Sequence, residues 1–171
     1  MKQLTRHITL TAMFLALGLL LPILFHGIGL GAIFLPMFWP VALGAFFLPL
    51  PYAVALGLLT PFLSSLLTGM PPLSPPIVYL MMAELVTLNL SLALLHQRTR
   101  WGVFWILLLG LAVSRVMLVF LISLAAPWLG LPSSPLSIAA AAQSLPGILL
   151  ILFFIPLTVA RLKKETLFLH R

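Results

Sequence analysis

Of the 171 residues, 63% are hydrophobic and only 6% are charged, where a soluble domain carries about 25% charged residues, so a water-facing surface of ordinary composition is excluded. The net charge of +7 and a pI near 11.4 would suggest nucleic acid in a soluble protein, but in a chain with a mean hydropathy of +1.25 the charges have to be read by position. The absence of cysteine excludes disulfides and thiol chemistry.

Crossing a hydrocarbon core of about 30 Å takes about 20 apolar residues per helix, so the length allows at most about six or seven crossings joined by very short loops. The expected fold is all-α, one integral membrane domain over residues 1–171 built as a bundle of six transmembrane helices. The first helix is expected over residues 8–25. Its basic leader could imitate a signal peptide, yet no small-x-small cleavage site precedes a polar region, and the segment reads as a first span. It carries Ala12 and Ala16, small residues four apart that let another helix approach closely.

The glycine-rich run His26-Gly27-Ile28-Gly29-Leu30-Gly31 leads to a second helix over residues 34–48. Pro49-Leu50-Pro51 makes a tight reversal into a third, residues 52–67, which ends in Thr68-Gly69-Met70-Pro71-Pro72-Leu73-Ser74-Pro75-Pro76. Those prolines cannot continue a helix, and each fixes its own torsion and restricts the residue before it. The loop reads as a stiff connection or as a preorganised cap over an outward-facing cavity. A fourth helix, residues 77–95, precedes the basic turn His96 to Trp101. A fifth, residues 103–126, precedes a loop with Pro127, Pro132 and Pro135, and a sixth, residues 138–160, precedes a basic tail. Helices two and three are short for a crossing, which implies tilt or burial of their ends. No internal repeat suggests the inverted halves of a secondary transporter.

Six crossings put both termini on one side with the turns after helices two and four. Lys2, Arg6, Arg98, Arg100, Arg161, Lys163, Lys164 and Arg171 all fall there, and because Lys and Arg in short loops stay cytoplasmic, both termini are expected in the cytoplasm. Trp39, Trp101, Trp105 and Trp128 fall near helix ends, as an interfacial belt would.

Two formally charged residues, Glu84 and Arg115, lie inside expected helices. A charge at mid-membrane costs about 2.5–3.5 kcal/mol unless paired or hydrated, so the two are expected to face inward as a structural ion pair, as the polar floor of a ligand cavity, or as both. Asn89, Ser114, Gln143 and Ser144 are the other polar side chains at depth. Small hydroxyls in membrane helices mostly serve packing, which leaves the amides Asn89 and Gln143 as candidate ligand contacts. His26, at the outer end of helix one, reads as an interface anchor or a ligand contact. No second His, Cys or carboxylate stands at metal-ligand spacing from it, so neither a metal nor a cofactor is expected. The sequence has no GxxxxGK phosphate loop, so energy has to come from an ion gradient or another subunit.

Five stretches together resemble the substrate-binding S components of energy-coupling factor (ECF) vitamin transporters, over nearly the whole chain: Leu10-Thr11-Ala12-Met13 with Ala16; Phe34-Leu35-Pro36-Met37 with Pro40-Val41; Ser64 to Leu73; Glu84-Leu85; and Leu145-Pro146-Gly147-Ile148 with Ile155-Pro156-Leu157. The Thr68-Gly69-Met70-Pro71-Pro72 run is the most specific. The chain departs from the pattern where Phe38 and Trp39 follow Leu35-Pro36-Met37, in place of an expected histidine. That departure is expected to exchange a polar contact at the pocket mouth for aromatic surface. The resemblance implies a cell-membrane subunit, itself no enzyme, that captures a vitamin-like small molecule outside and topples to release it inside. Its expected partners are a transmembrane coupling protein docking at Ala12 and Ala16, two ATPase subunits and the lipid bilayer, with no nucleic acid. Substrate contacts are expected from Glu84, Asn89, Arg115, Gln143, His26 and Met70. The rival readings are a structural or assembly subunit of another membrane complex and, more remotely, an intramembrane enzyme using Glu84 and His26, which lie at different expected depths.

Overall fold

The computed structural model describes residues 2–74, 77–129 and 144–168. Every regular element among them is a helix: α1 (Lys2–Gly27), α2 (Gly31–Phe34), α3 (Phe38–Gly44), α4 (Leu50–Thr68), α5 (Ile77–Arg98), α6 (Val103–Leu129) and α7 (Leu145–Phe168). Five helices, α1, α4, α5, α6 and α7, are long and apolar enough to cross a membrane. Their boundaries extend the expected spans by a few residues, because the polar ends of α1, α5 and α7 stay helical beyond the apolar stretch. The start expected for the sixth span, residues 138–143, lies outside the described residues, as do Pro75, Pro76 and most of the loop after Pro127.

The second expected span is not one continuous helix. α2 ends after four residues, Leu35 takes up the left-handed region at φ 49°, and α3 then runs for seven residues. Pro36 has no N–H to carry a ladder across this point. Trp39 compensates, its Nε1 donating to the Phe34 carbonyl at 2.9 Å, which satisfies one of the orphan acceptors at the end of α2. Pro40 sits in the first turn of α3, where its missing N–H would have had no intrahelical partner anyway. Phe38, Pro40, Val41, Ala42 and Gly44 are all buried, so α3 is covered on every side, and it packs against α1, α4, α5 and α7.

Around this central piece the neighbours run α1, α4, α5, α6, α7, with α2 closing the ring between α7 and α1. Two glycines set the closest approaches. A Cβ at Gly57 would lie 2.7 Å from the Leu85 carbonyl oxygen, and one at Gly147 would lie 2.6 Å from that of Ile33, so α4 meets α5, and α7 meets α2, backbone against backbone. Such contact suits membrane helices, which have no hydrophobic drive to associate and rely on close packing. Leu56, Leu85, Leu88, Ile106, Leu107 and Ile151 fill the core.

The ring pairs His7–Tyr52, at 5.4 Å between centroids, and Phe46–His96, at 5.3 Å, bring the start of α1, the start of α4 and the ends of α3 and α5 to one end of the bundle. Arg6, Arg98 and Arg100 are exposed there, while His26, Met70 and the start of α7 belong to the other end. Trp101 and Trp105 are exposed as an interfacial belt requires. Trp39 departs from that reading, being partly buried and tilted against Phe154 at 5.8 Å, because its indole is used to close the α2–α3 break. The side chain of Trp128 lies outside the described residues.

Candidate functional site

α5 and α6 run side by side, which puts Glu84 opposite Arg115. Arg115 Nη1 lies 3.0 Å from Glu84 Oε1, with the Glu84 side chain 3% exposed and that of Arg115 18%. Oε1 has no partner meeting hydrogen-bond geometry, so the contact is one of charge rather than alignment. The Arg115 guanidinium also lies over the ring of Phe38, 5.2 Å from its centroid, within the range at which a cation is attracted to an aromatic face. The broken second span is therefore what brings a π face from α3 beneath the arginine. Phe38 is 1% exposed: it is a buried support for Arg115, not aromatic surface at a pocket mouth.

Arg115 is only partly used by these contacts. Its Nε and Nη2 are buried, and neither has a hydrogen-bond partner among the described residues. The two share one edge of the planar fork, the geometry with which arginine takes two acceptors at once. A buried donor without an acceptor costs about 1–3 kcal/mol, more on a charged group, so this edge favours an incoming acceptor. Neighbouring Ser114 is not available to help, since its hydroxyl donates to the Leu111 carbonyl at 2.9 Å.

The remaining expected contacts do not all converge here. Asn89 follows Glu84 by five residues, about 140° around the helix, and faces α4, where its Nδ2 donates to the Ala53 carbonyl at 2.6 Å. It ties α4 to α5. His26 Nδ1 bonds the Pro22 carbonyl at 2.8 Å, and the ring packs so closely on Gly31 that a Cβ there would lie 2.5 Å away, so the imidazole pins the α1–α2 turn. Met70 is 56% exposed. Its carbonyl accepts the Ser64 hydroxyl at 2.7 Å, and its N–H donates to Thr68 Oγ1 at 3.2 Å, which holds the loop back against the end of α4. Gln143 lies outside the described residues; Ser144, next to it, is buried.

Ala12 and Ala16 are both exposed on α1, and Phe14 and Gly18 face inward, so the alanine pair presents a shallow outer face. Sequence reasoning missed two features. Phe38 is the floor under Arg115, legible only once the chain breaks at Leu35. Ser65 Oγ is buried without a hydrogen-bond partner among the described residues, and no local pattern marks it.

The family model described as "ECF transporter, substrate-specific component" matches residues 6–162. No curated protein and no solved structure matches the chain.

Proposed function

The chain belongs to the substrate-specific component family of ECF transporters, and from that premise we propose that Arg115, held by Glu84 and Phe38, receives the transported molecule. As a member of the family it is the substrate-binding subunit of an ECF importer and a multi-pass membrane protein. The observation that carries the assignment of the site is the free Nε–Nη2 edge. Its neighbour Glu84 already balances the charge, so the edge offers directional donors without an unpaired ion in the membrane interior. The molecule is a small, vitamin-like compound with two acceptors side by side; Gln143 adds a further contact. Met70 belongs to the loop that covers the site from outside, and the hydrogen bonds from Ser64 and to Thr68 lower the entropy lost when that loop closes. His26 and Asn89 support the fold around the site, His26 Nδ1 bonding the Pro22 carbonyl and Asn89 Nδ2 donating to the Ala53 carbonyl, while Asn89 Oδ1 is buried without a hydrogen-bond partner among the described residues.

α2 and α3 together make the sixth crossing. Both termini then lie on the cytoplasmic side of the cell membrane, which agrees with the exposed Arg6, Arg98 and Arg100 gathered at one end. The coupling subunit docks on α1 at Ala12 and Ala16, and two ATPase subunits hydrolyse ATP; the chain itself is a transport subunit and not an enzyme.

Mass spectrometry of the small molecules that co-purify with the detergent-solubilised protein tests the site. One compound is expected near stoichiometric amount with wild type and to be lost with Arg115→Met. Its full retention in that variant overturns the site.

A further inference from the structure

The described surface holds one more feature that substrate capture does not use. Trp101, Gly102, Trp105, Leu108, Leu109 and Ala112 line an open, apolar groove of about 720 Å³ along the first turns of α6. From Trp101 to Ala112 the helix rises about 16 Å, which is half of a hydrocarbon core of about 30 Å. The groove therefore starts at the interface, marked by two exposed tryptophans, and runs to about the bilayer midplane. That is the depth of one leaflet.

Its shallow end is continuous with the turn that carries Arg98 and Arg100, both exposed. The whole chain has two carboxylate residues. One, Glu84, is buried against Arg115; the other, Glu165, is on α7. Among the described residues the one ion pair formed is Glu84–Arg115, and no carboxylate there is paired with Arg98 or Arg100. A positive rim above a leaflet-deep apolar groove with two tryptophans at its shallow end matches a molecule with one anionic head and a long hydrocarbon tail.

We infer that this groove retains an anionic phospholipid of the leaflet at the basic end, its phosphate on Arg98 and Arg100 and one acyl chain along Trp105, Leu108, Leu109 and Ala112. A protein occupant fits less well. α6 packs on α5 and α7, while α1 packs on α2, α3 and α4, so the groove lies across the bundle from Ala12 and Ala16, and a subunit docked on α1 leaves it facing lipid.

The test uses the full chain reconstituted in phosphatidylcholine vesicles, with a small fraction of the lipid replaced by phosphatidylglycerol brominated on its acyl chains, or by phosphatidylcholine brominated in the same way. Tryptophan quenching reports contact. Retention predicts that brominated phosphatidylglycerol reaches half-maximal quenching at a mole fraction about thirtyfold below that of brominated phosphatidylcholine, the size expected for two basic side chains near an anionic lipid. The variant Arg98→Gln/Arg100→Gln should abolish the difference, Arg98→Lys/Arg100→Lys should keep it, and Trp101→Phe/Trp105→Phe should remove most of the quenched signal. Equal quenching by the two lipids overturns the inference, as does a preference that survives Arg98→Gln/Arg100→Gln in a variant with wild-type helix content. Loss of the preference when the coupling and ATPase subunits are added would show that the groove belongs to a protein partner, and overturns it too.

Discussion

Replacing Arg115 by methionine leaves the Glu84 side chain, 3% exposed, without the charge that faces it. Removing one partner of a buried ion pair costs about 3–5 kcal/mol. For a domain of this size about 1 kcal/mol moves the melting temperature by about 2–4 °C, so Arg115→Met should melt on the order of 10 °C below wild type by thermal unfolding in detergent. Adding Glu84→Gln removes the stranded carboxylate, and the double variant should recover about 2 kcal/mol relative to the sum of the singles, the size of coupling expected for contacting residues. Arg115→Lys separates stability from capture. Lysine keeps a positive charge near Glu84 but has no planar fork, so it should lose less than half of the stability that methionine loses and still fail to retain the co-purifying small molecule. Wild-type retention by Arg115→Lys would refute the argument that the Nε–Nη2 edge holds the ligand, and an unchanged melting temperature for Arg115→Met would refute the buried pair itself.

Ala12→Leu/Ala16→Leu should abolish uptake in cells while leaving the small-molecule content of the purified protein unchanged, since both positions are exposed on α1 and away from Arg115; normal uptake would remove the docking face. Gly57→Ala should lower stability by about 1–3 kcal/mol, the usual cost of overpacking, because its Cβ meets the backbone of Leu85 and Val86, which has no rotamer to yield; thermal unfolding checks it. Asn89→Leu should likewise lower the melting temperature through the lost bond to the Ala53 carbonyl, and ligand content should hold. As the chain has no cysteine, single cysteines at Leu73 and Arg100 report topology directly. An impermeant maleimide added to intact cells should label the first and spare the second, and the reverse pattern would invert the orientation.

The coupling of Arg115 to Glu84 and Phe38 shows how far sequence alone carries. Composition and the spacing of prolines determined that the chain is a multi-pass membrane protein and roughly where its five long helices lie, because a hydrocarbon core tolerates neither unpaired backbone nor scattered charge. The cost of an intramembrane ion likewise determined that Glu84 and Arg115 turn inward. Direction around a helix was decided only by packing. Asn89, in the same helix as Glu84, turned to α4, and His26, followed by a glycine-rich run, closed on its own turn. The break at Leu35 is a tertiary choice as well: Pro36 weakens the helix there, and the indole of Trp39 bonded to the Phe34 carbonyl together with the burial of Phe38 supports the interruption. That break delivers the aromatic face beneath Arg115 and leaves one edge of its fork unspent. Side-chain partners of this kind come from residues far apart in the chain, and no local periodicity encodes them.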